Sequence, residues 1–272
     1  MRRQSVSGNS MSLLSKVYRL GGQWAKDGLD FLVPPRCVIC GNELFYQKDS
    51  HVAPSCMGAE NALICLPCCH QLMIEQKRCV TCGERSCSTV ACVGCKRLRH
   101  GCRGLAVLGS YGDDLRVAVL RCKRRGGEEI ASALAFVLAA TYSETIRQWG
   151  VQSIIPVPMH WSRRVFRGMS AADQIAESMA KYFNLPYRCP LRRVVATKMQ
   201  KDLPFQDRKL NVANVFKVRQ NVVGQTFLLV DDVCTTGSTL SASAKCLMAA
   251  GAHAVYAAVI AKADFSDEGS RA

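Results

Sequence analysis

The chain has 272 residues, 36 Lys+Arg against 21 Asp+Glu, a formal net charge of +15 and 16 cysteines. With 49% hydrophobic and 21% charged residues it can bury a sizeable core, which excludes a disordered or collagen-like chain. No window carries the roughly 18 uninterrupted apolar residues that a spanning helix needs, and the basic excess fits phosphate-bearing partners in general, from a sugar phosphate to nucleic acid.

Residues 11–24 place Leu13, Leu14, Val17, Tyr18 and Leu20 near one another, but Lys16, Arg19 and the pair Gly21-Gly22 interrupt the run. A short amphipathic helix is expected there rather than a signal-peptide core, so a cytoplasmic location is expected. Residues 1–30 form this N-terminal segment.

Twelve of the 16 cysteines fall between Cys37 and Cys102. In a reducing compartment such density points to thiolate ligands rather than disulfides. Four Cys-x-x-Cys pairs stand in order: Cys37/Cys40, Cys65/Cys68, Cys79/Cys82 and Cys92/Cys95. Two intervening residues let the backbone turn so that both sulfurs reach one ion about 2.3 Å away, and two such knuckles complete a tetrahedron. Sequential pairing gives two sites of four thiolates each. All-sulfur ligation suits zinc or an iron–sulfur cluster; Cys40-Gly41, Cys82-Gly83 and the lack of a ferredoxin run favour zinc. With no open position, such zinc is structural. His51, Cys56, Cys69, His70, Cys87 and Cys102 are spare, and each is able to replace an assigned ligand; the stretch 46–60 reads as an inserted loop. The chain is expected to divide near residue 103, into a cysteine-rich domain over 31–103 and a larger one over 104–272.

The larger domain reads as an open α/β sheet. A first strand is expected over 105–111, a helix over 113–122 and a longer helix over 130–149. Between these helices stand Lys123, Arg124 and Arg125, before Gly126-Gly127. The next strand, 151–157, leads into Pro156-Val157-Pro158 and a basic loop over 161–168 with Arg163, Arg164 and Arg167, then a helix over 171–182. Both basic clusters are candidates to neutralise pyrophosphate, with plain surface charge as the alternative.

The most informative run covers 226–239, TFLLVDDVCTTGST. A continuous apolar stretch reads as a buried parallel strand, and 240–250 as a helix with Leu240, Ala244, Leu247 and Met248 on one face; a last apolar strand follows over 254–261. Backbone N–H groups and hydroxyls of Thr235, Thr236, Ser238 and Thr239 suit a phosphate at a helix start, and Gly237 admits close backbone approach. Asp231 and Asp232 are placed to accept hydrogen bonds from ribose hydroxyls. A two-acid strand end also occurs as an ordinary polar terminus or a metal-binding pair, but neither explains the Thr-Thr-Gly-Ser-Thr loop.

The run resembles the phosphoribosyl pyrophosphate signature of type I phosphoribosyltransferases, departing at Cys234, where that family usually has an aliphatic residue. With four knuckles ahead of it, the chain over 31–263 resembles the ComF family, which has ComFC-like and GntX-like members. The most specific support is Thr197-x-x-Gln200-x-x-Leu203-x-x-x-x-Arg208-x-x-Asn211-Val212-x-x-x-Phe216, with Val157-Pro158-Met159-His160 and Lys123 with Gly126 beside it. One departure stands out: where members read Arg-Gly-Phe-Asn-Gln, this chain has Arg167-Gly168-Met169-Ser170-Ala171. Two amide side chains able to bind substrate or fix the loop are lost.

The resemblance implies a type I phosphoribosyltransferase fold behind a double zinc ribbon, binding of phosphoribosyl pyrophosphate with Mg²⁺, and a link to DNA uptake in natural transformation. Two functional classes follow. The first is a pentosyl-transferring enzyme with Asp231 and Asp232 on the ribose. The second is a binding module whose ribbons and basic loops contact single-stranded DNA or a competence-machinery protein, its phosphoribosyl site sensory or vestigial.

Overall fold

The computed structural model describes residues 36–43, 64–65, 67–69, 71, 78–85, 92, 95, 101–124, 126–159, 170–194 and 215–263. In chain order the elements are β1 (Leu105–Ser110), α1 (Asp113–Cys122), α2 (Glu128–Thr141), α3 (Ser143–Gln148), β2 (Ser153–Pro156), α4 (Ala171–Phe183), β3 (Leu191–Arg193), β4 (Phe216–Val218), β5 (Thr226–Cys234), α5 (Ser238–Ala249) and β6 (Ala254–Lys262). Four of the strands form a parallel sheet in the order β1-β6-β5-β2. Its strands are apolar almost throughout because both faces are covered, as the continuous runs in the sequence require.

The two faces follow from the period of two along each strand. Ala106, Leu108, Ile154, Leu228, Val230, Ala258 and Ile260 pack with Leu134 and Leu138 of α2 and Ile175 and Met179 of α4. Leu105, Val107, Phe227, Leu229, Val255, Ala257 and Val259 pack with Leu240, Ala244 and Leu247 of α5. Each fully buried Leu or Ile in these layers contributes about 1.5–3 kcal/mol. Met248, expected on the buried face of α5, is exposed. Positions i, i+4 and i+7 keep Leu240, Ala244 and Leu247 on one stripe, whereas one further residue turns about 100° away from it.

The expected long helix over 130–149 is two helices meeting at Tyr142, which has φ −109° and ψ 20°. Two side chains hold the break. Thr141 Oγ1 donates to the Val137 carbonyl at 2.7 Å, and Tyr142 Oη donates to the Val107 carbonyl of β1 at 2.8 Å. Back-bonding by Thr bends a helix, and the phenol then anchors the bend to the sheet.

A second sheet was not expected. β3 and β4 pair antiparallel, Leu191 opposite Val218 and Arg193 opposite Phe216, and lay Leu191 and Phe216 against the α5 layer. Ahead of it the chain runs beside β2, with the Ile154 N–H donating to Pro186 O and the Arg188 N–H donating to Ile154 O, both at 2.9 Å.

The described part of the cysteine-rich segment packs directly on this framework. Cys37, Val38, Ile64, Cys68 and Cys69 join the α1–α2 core layer, and an Arg121 guanidinium N–H donates to the Val38 carbonyl at 2.7 Å. The Leu105 N–H, opening β1, donates to the Val80 carbonyl at 2.8 Å. The expected N-terminal helix over 11–24 and the inserted loop over 46–60 lie outside the described residues.

Candidate functional site

The structure brings the eight cysteines into two groups of four, Cys37, Cys40, Cys65 and Cys68, and Cys79, Cys82, Cys92 and Cys95. Within each group the sulfurs lie within 4.8 Å of one another. Sulfur–sulfur separations are 3.7 Å for Cys40–Cys65, 3.5 Å for Cys79–Cys95 and 3.4 Å for Cys82–Cys92. A tetrahedron with bonds of about 2.3 Å has edges of about 3.8 Å, so the sulfurs fit zinc. Two closed four-thiolate groups could hold two zinc ions, each supplying cross-linking of the fold rather than reaction chemistry.

Local backbone explains the fit. Both leading knuckles read Arg-Cys-Val-x-Cys-Gly, at Arg36 and at Arg78, a repeat that the spacing alone did not bring out. In each, the glycine N–H closes on the first cysteine's carbonyl, Gly41 on Cys37 at 2.8 Å and Gly83 on Cys79 at 2.7 Å, with both glycines at positive φ. Burial opposes the Cys37 thiolate, yet the N–H groups of Cys40, Cys65 and Ile39 outweigh it and bring the thiol down to about 7. Cys79 is brought to about 7 in the same manner, by the N–H groups of Cys82 and Thr81. Of the spare residues, Cys69 and Cys102 stand outside both groups. His51, Cys56, His70 and Cys87 lie outside the described residues.

At the carboxyl end of β5 the two acids have different surroundings. Alternation puts Asp232 on the same side as Leu228 and Val230, toward α1, and there Lys123, just past α1, pairs with it, Nζ to Oδ2 at 2.8 Å. Asp231 falls in the alternation of Phe227 and Leu229 and accepts from the Asp232 N–H at 2.9 Å. Its carboxyl is pushed well above the usual carboxylate range, first by burial and then by the neighbouring Asp232 charge. Cys122, buried behind this pair, is raised to about 12 by burial and then by the Asp232 charge.

Lys123 reaches the acids because the turn after α1 is tight. A Cβ on Gly127 would sit 2.4 Å from the Arg121 carbonyl oxygen, so only glycine lets α2 start this close to the end of α1. Arg124 is exposed beside Lys123, and Arg125 lies outside the described residues.

After Cys234 the chain turns through exposed Thr235 and Thr236 to Gly237, left-handed at φ 71°. Gly237 is the N-cap of α5 and offers no side-chain cap; Thr239 lies in the first turn. Thr236 Oγ1 donates to Ser238 Oγ at 3.0 Å, which gathers the hydroxyls at the mouth of the helix. The Ser238 N–H donates to Thr236 Oγ1 at 3.4 Å, and the positive end of the helix dipole favours negative charge at this mouth.

The second basic cluster, Arg163, Arg164 and Arg167, lies outside the described residues, as does most of the segment 197–216. The chain re-enters at Ser170, where sequence reading expected a loss. Ser170 caps α4: its Oγ accepts from the Asp173 N–H at 3.1 Å, and the Ser170 N–H donates to Asp173 Oδ2 at 3.2 Å. Tyr187 Oη donates to the other Asp173 oxygen at 3.1 Å.

Sequence reading also missed a buried charge at the same sheet end. Lys262, 0% exposed, is ion-paired with Glu84, just past the Cys79/Cys82 knuckle, and donates to the Ala263 carbonyl at 3.3 Å. The available signal was a lysine directly after the apolar run 254–261.

The family model described as Phosphoribosyl transferase domain matches residues 167–270. Among curated proteins, the chain is 30% identical over 198 residues to the DNA utilization protein YhgH of Escherichia coli K12, covering 71% of this chain and 87% of that protein. It is 26% identical over 236 residues to Competence protein F of Haemophilus influenzae, covering 84% and 97%. Competence protein ComFC of Bacillus subtilis is 25% identical over 223 residues, covering 79% and 89%.

Proposed function

The chain belongs to the ComF family of phosphoribosyltransferase-domain proteins, and from that premise we propose that it binds Mg-phosphoribosyl pyrophosphate at the carboxyl end of β5 and transfers the pentosyl group. The observation that carries this reading is the Lys123–Asp232 pair at 2.8 Å, which sets a basic turn against the acid pair beside an uncapped helix start.

The 5-phosphate lies against the N–H groups and hydroxyls of Thr235, Thr236, Gly237, Ser238 and Thr239. Asp231 and Asp232 accept from the ribose hydroxyls, and Lys123, with Arg163, Arg164 and Arg167, neutralises the pyrophosphate. Mg²⁺, when bound with the substrate, shields the pyrophosphate charge. The bond from C1 to the pyrophosphate oxygen breaks, both electrons leave with pyrophosphate, and an acceptor nitrogen captures the oxocarbenium-like centre. Positioning and charge stabilisation do the catalysis, and no nucleophilic side chain is required. In this reading the chain divides into an N-terminal segment over 1–30, a double zinc ribbon over 31–103 and the phosphoribosyltransferase-like unit over 104–272. The relatives' names, competence protein and DNA utilization protein, support a place in DNA uptake.

Calorimetric titration of Mg-phosphoribosyl pyrophosphate into the zinc-loaded protein tests it. Asp232→Asn is expected to weaken binding about ten- to a hundredfold, the worth of a charge-assisted hydrogen bond, with the fold intact. Equal affinity in wild type and variant would remove Asp232 from the site.

A second reading is favoured by the exposed Arg116, Arg121, Lys123 and Arg124 on and after α1. Here the protein is a non-catalytic module for single-stranded DNA or a competence partner, with a sensory phosphoribosyl site. Its mark is affinity for single-stranded DNA that falls steeply with salt, in the absence of any pyrophosphate release.

A further inference from the structure

The ion pair between Glu84 and Lys262 sits where three parts of the molecule meet. Glu84 is two residues past the ligand Cys82, and its carbonyl accepts from the Cys79 N–H at 2.9 Å, so its position is set by the knuckle turn. Lys262 ends β6, in register with Ser110 of β1 on one side and Cys234 of β5 on the other. The Ala263 N–H donates to the Cys234 carbonyl at 3.0 Å, and the Tyr111 N–H donates to the Lys262 carbonyl at 2.7 Å. Cys234 is the residue immediately before Thr235, where the phosphate loop begins.

An ammonium removed wholly from water must be paired, and a buried pair rarely adds stability over well-packed apolar residues. What such a pair supplies is a fixed geometry: Lys262 accepts one arrangement of knuckle against strand end, and a small slip leaves a charge unpaired. The same turn presses on β1, since a Cβ on Gly83 would meet Val107 Cγ2 at 2.6 Å and Leu105 Cδ2 at 2.9 Å. Arg78 and Arg85, flanking the knuckle, both donate to Ser110 Oγ at 2.7 Å, at the carboxyl end of β1. The knuckle is thus fastened along β1, from Leu105 to Ser110, and to the end of β6, whose next residue is hydrogen-bonded to the end of β5.

We propose that Glu84 and Lys262 are positioning residues, through which the Cys79/Cys82 knuckle holds the end of β5 and the phosphate loop after it in binding geometry. The ligand side of this inference rests on the phosphoribosyl reading above. The loop side does not.

The test uses the full-length, zinc-loaded chain as wild type, as Glu84→Gln, and as the double variant Glu84→Leu with Lys262→Met, which removes both charges at similar volume. Metal content by thiol-triggered release, amide hydrogen exchange and calorimetric binding of ribose 5-phosphate are read on each, well below its melting temperature. Both variants are expected to retain two zinc ions per chain. Amides over 235–239 should exchange about tenfold faster in them while α2 amides stay unchanged, and ribose 5-phosphate should bind about tenfold more weakly, within the range of coupling between linked sites. Should Glu84→Gln not fold, the double variant alone decides. Unchanged exchange over 235–239 in the double variant overturns the proposal, because a merely structural pair leaves the loop as it was. Faster loop exchange with no binding of ribose 5-phosphate by the wild type supports the positioning role and overturns the phosphoribosyl reading instead.

Discussion

Asp231 and Asp232 are adjacent and chemically identical, yet one carries an ion pair and the other a burial penalty. Asp232 has Lys123 at 2.8 Å; Asp231 has its carboxyl raised by burial and by the charge beside it. A raised folded value means the native state holds its proton where the unfolded chain has released it, so stability falls as pH climbs from the ordinary carboxylate range to that raised value. Asp231→Asn keeps the acceptor for the Asp232 N–H and removes the titration. Its melting temperature is expected to match wild type in acid and to exceed it by about 3 °C near neutral pH, the shift made by ~1 kcal/mol in a domain of this size, while ribose binding is lost. Parallel calorimetric scans across pH check this, and a variant that melts below wild type at neutral pH would show the Asp231 carboxylate to be stabilising. The acid pair and its loop were legible in the sequence because few other arrangements place two acids before Thr-Thr-Gly-Ser-Thr. The difference between the acids was not, since it depends on which face meets α1, a tertiary fact.

The helix that starts at Ser170 illustrates how one element absorbs a changed motif. Where relatives in the family read Asn, this chain has Ser, and both are favoured N-caps. Ser170 Oγ and the Asp173 carboxylate satisfy each other's backbone N–H groups as a capping box. Ser170→Ala should cost about 1 kcal/mol in urea unfolding, and Ser170→Asn should recover most of it. A loss in the Asn variant equal to that of Ala would mean that the hydroxyl's 2.7 Å contact with Asp173, rather than the cap, matters. Among elements, those with long apolar periods were legible: β1, α1, α4, β5, α5 and β6 fall close to their expected bounds. β3 and β4 were not, because Leu-Arg-Arg and Phe-Lys-Val are too short to express a period of two and lie 22 residues apart. The break at Tyr142 escaped for a different reason: it is made by a hydrogen bond to a strand 35 residues away.

At the scale of the whole molecule, the knuckles share a core with the sheet, so metal and fold stand or fall together. Cys37 and Cys68 are buried in the layer under α1, and Cys82 is 1% exposed. Even about 4 kcal/mol of the ~10 kcal/mol that structural zinc contributes in isolated fingers lowers the melting temperature by about 10 °C here. Stripping zinc with a chelator and a thiol reagent should therefore lower and broaden the thermal transition, restored by added Zn²⁺. An unchanged melt would mean that the core closes without metal. Cysteine spacing made the two four-sulfur groups legible, whereas their docking was not, because it is carried by Arg121 on Val38 and by Glu84 on Lys262, pairs far apart in the chain. The strand order β1-β6-β5-β2 has one more consequence. β6, the last of the described strands in chain order, is inserted between two made earlier, so a nascent chain ending before Ala254 exposes the open edges of β1 and β5 to any passing strand. Closing the sheet therefore waits on its last-made strand, and until that strand is inserted the two facing edges are open to pairing between molecules.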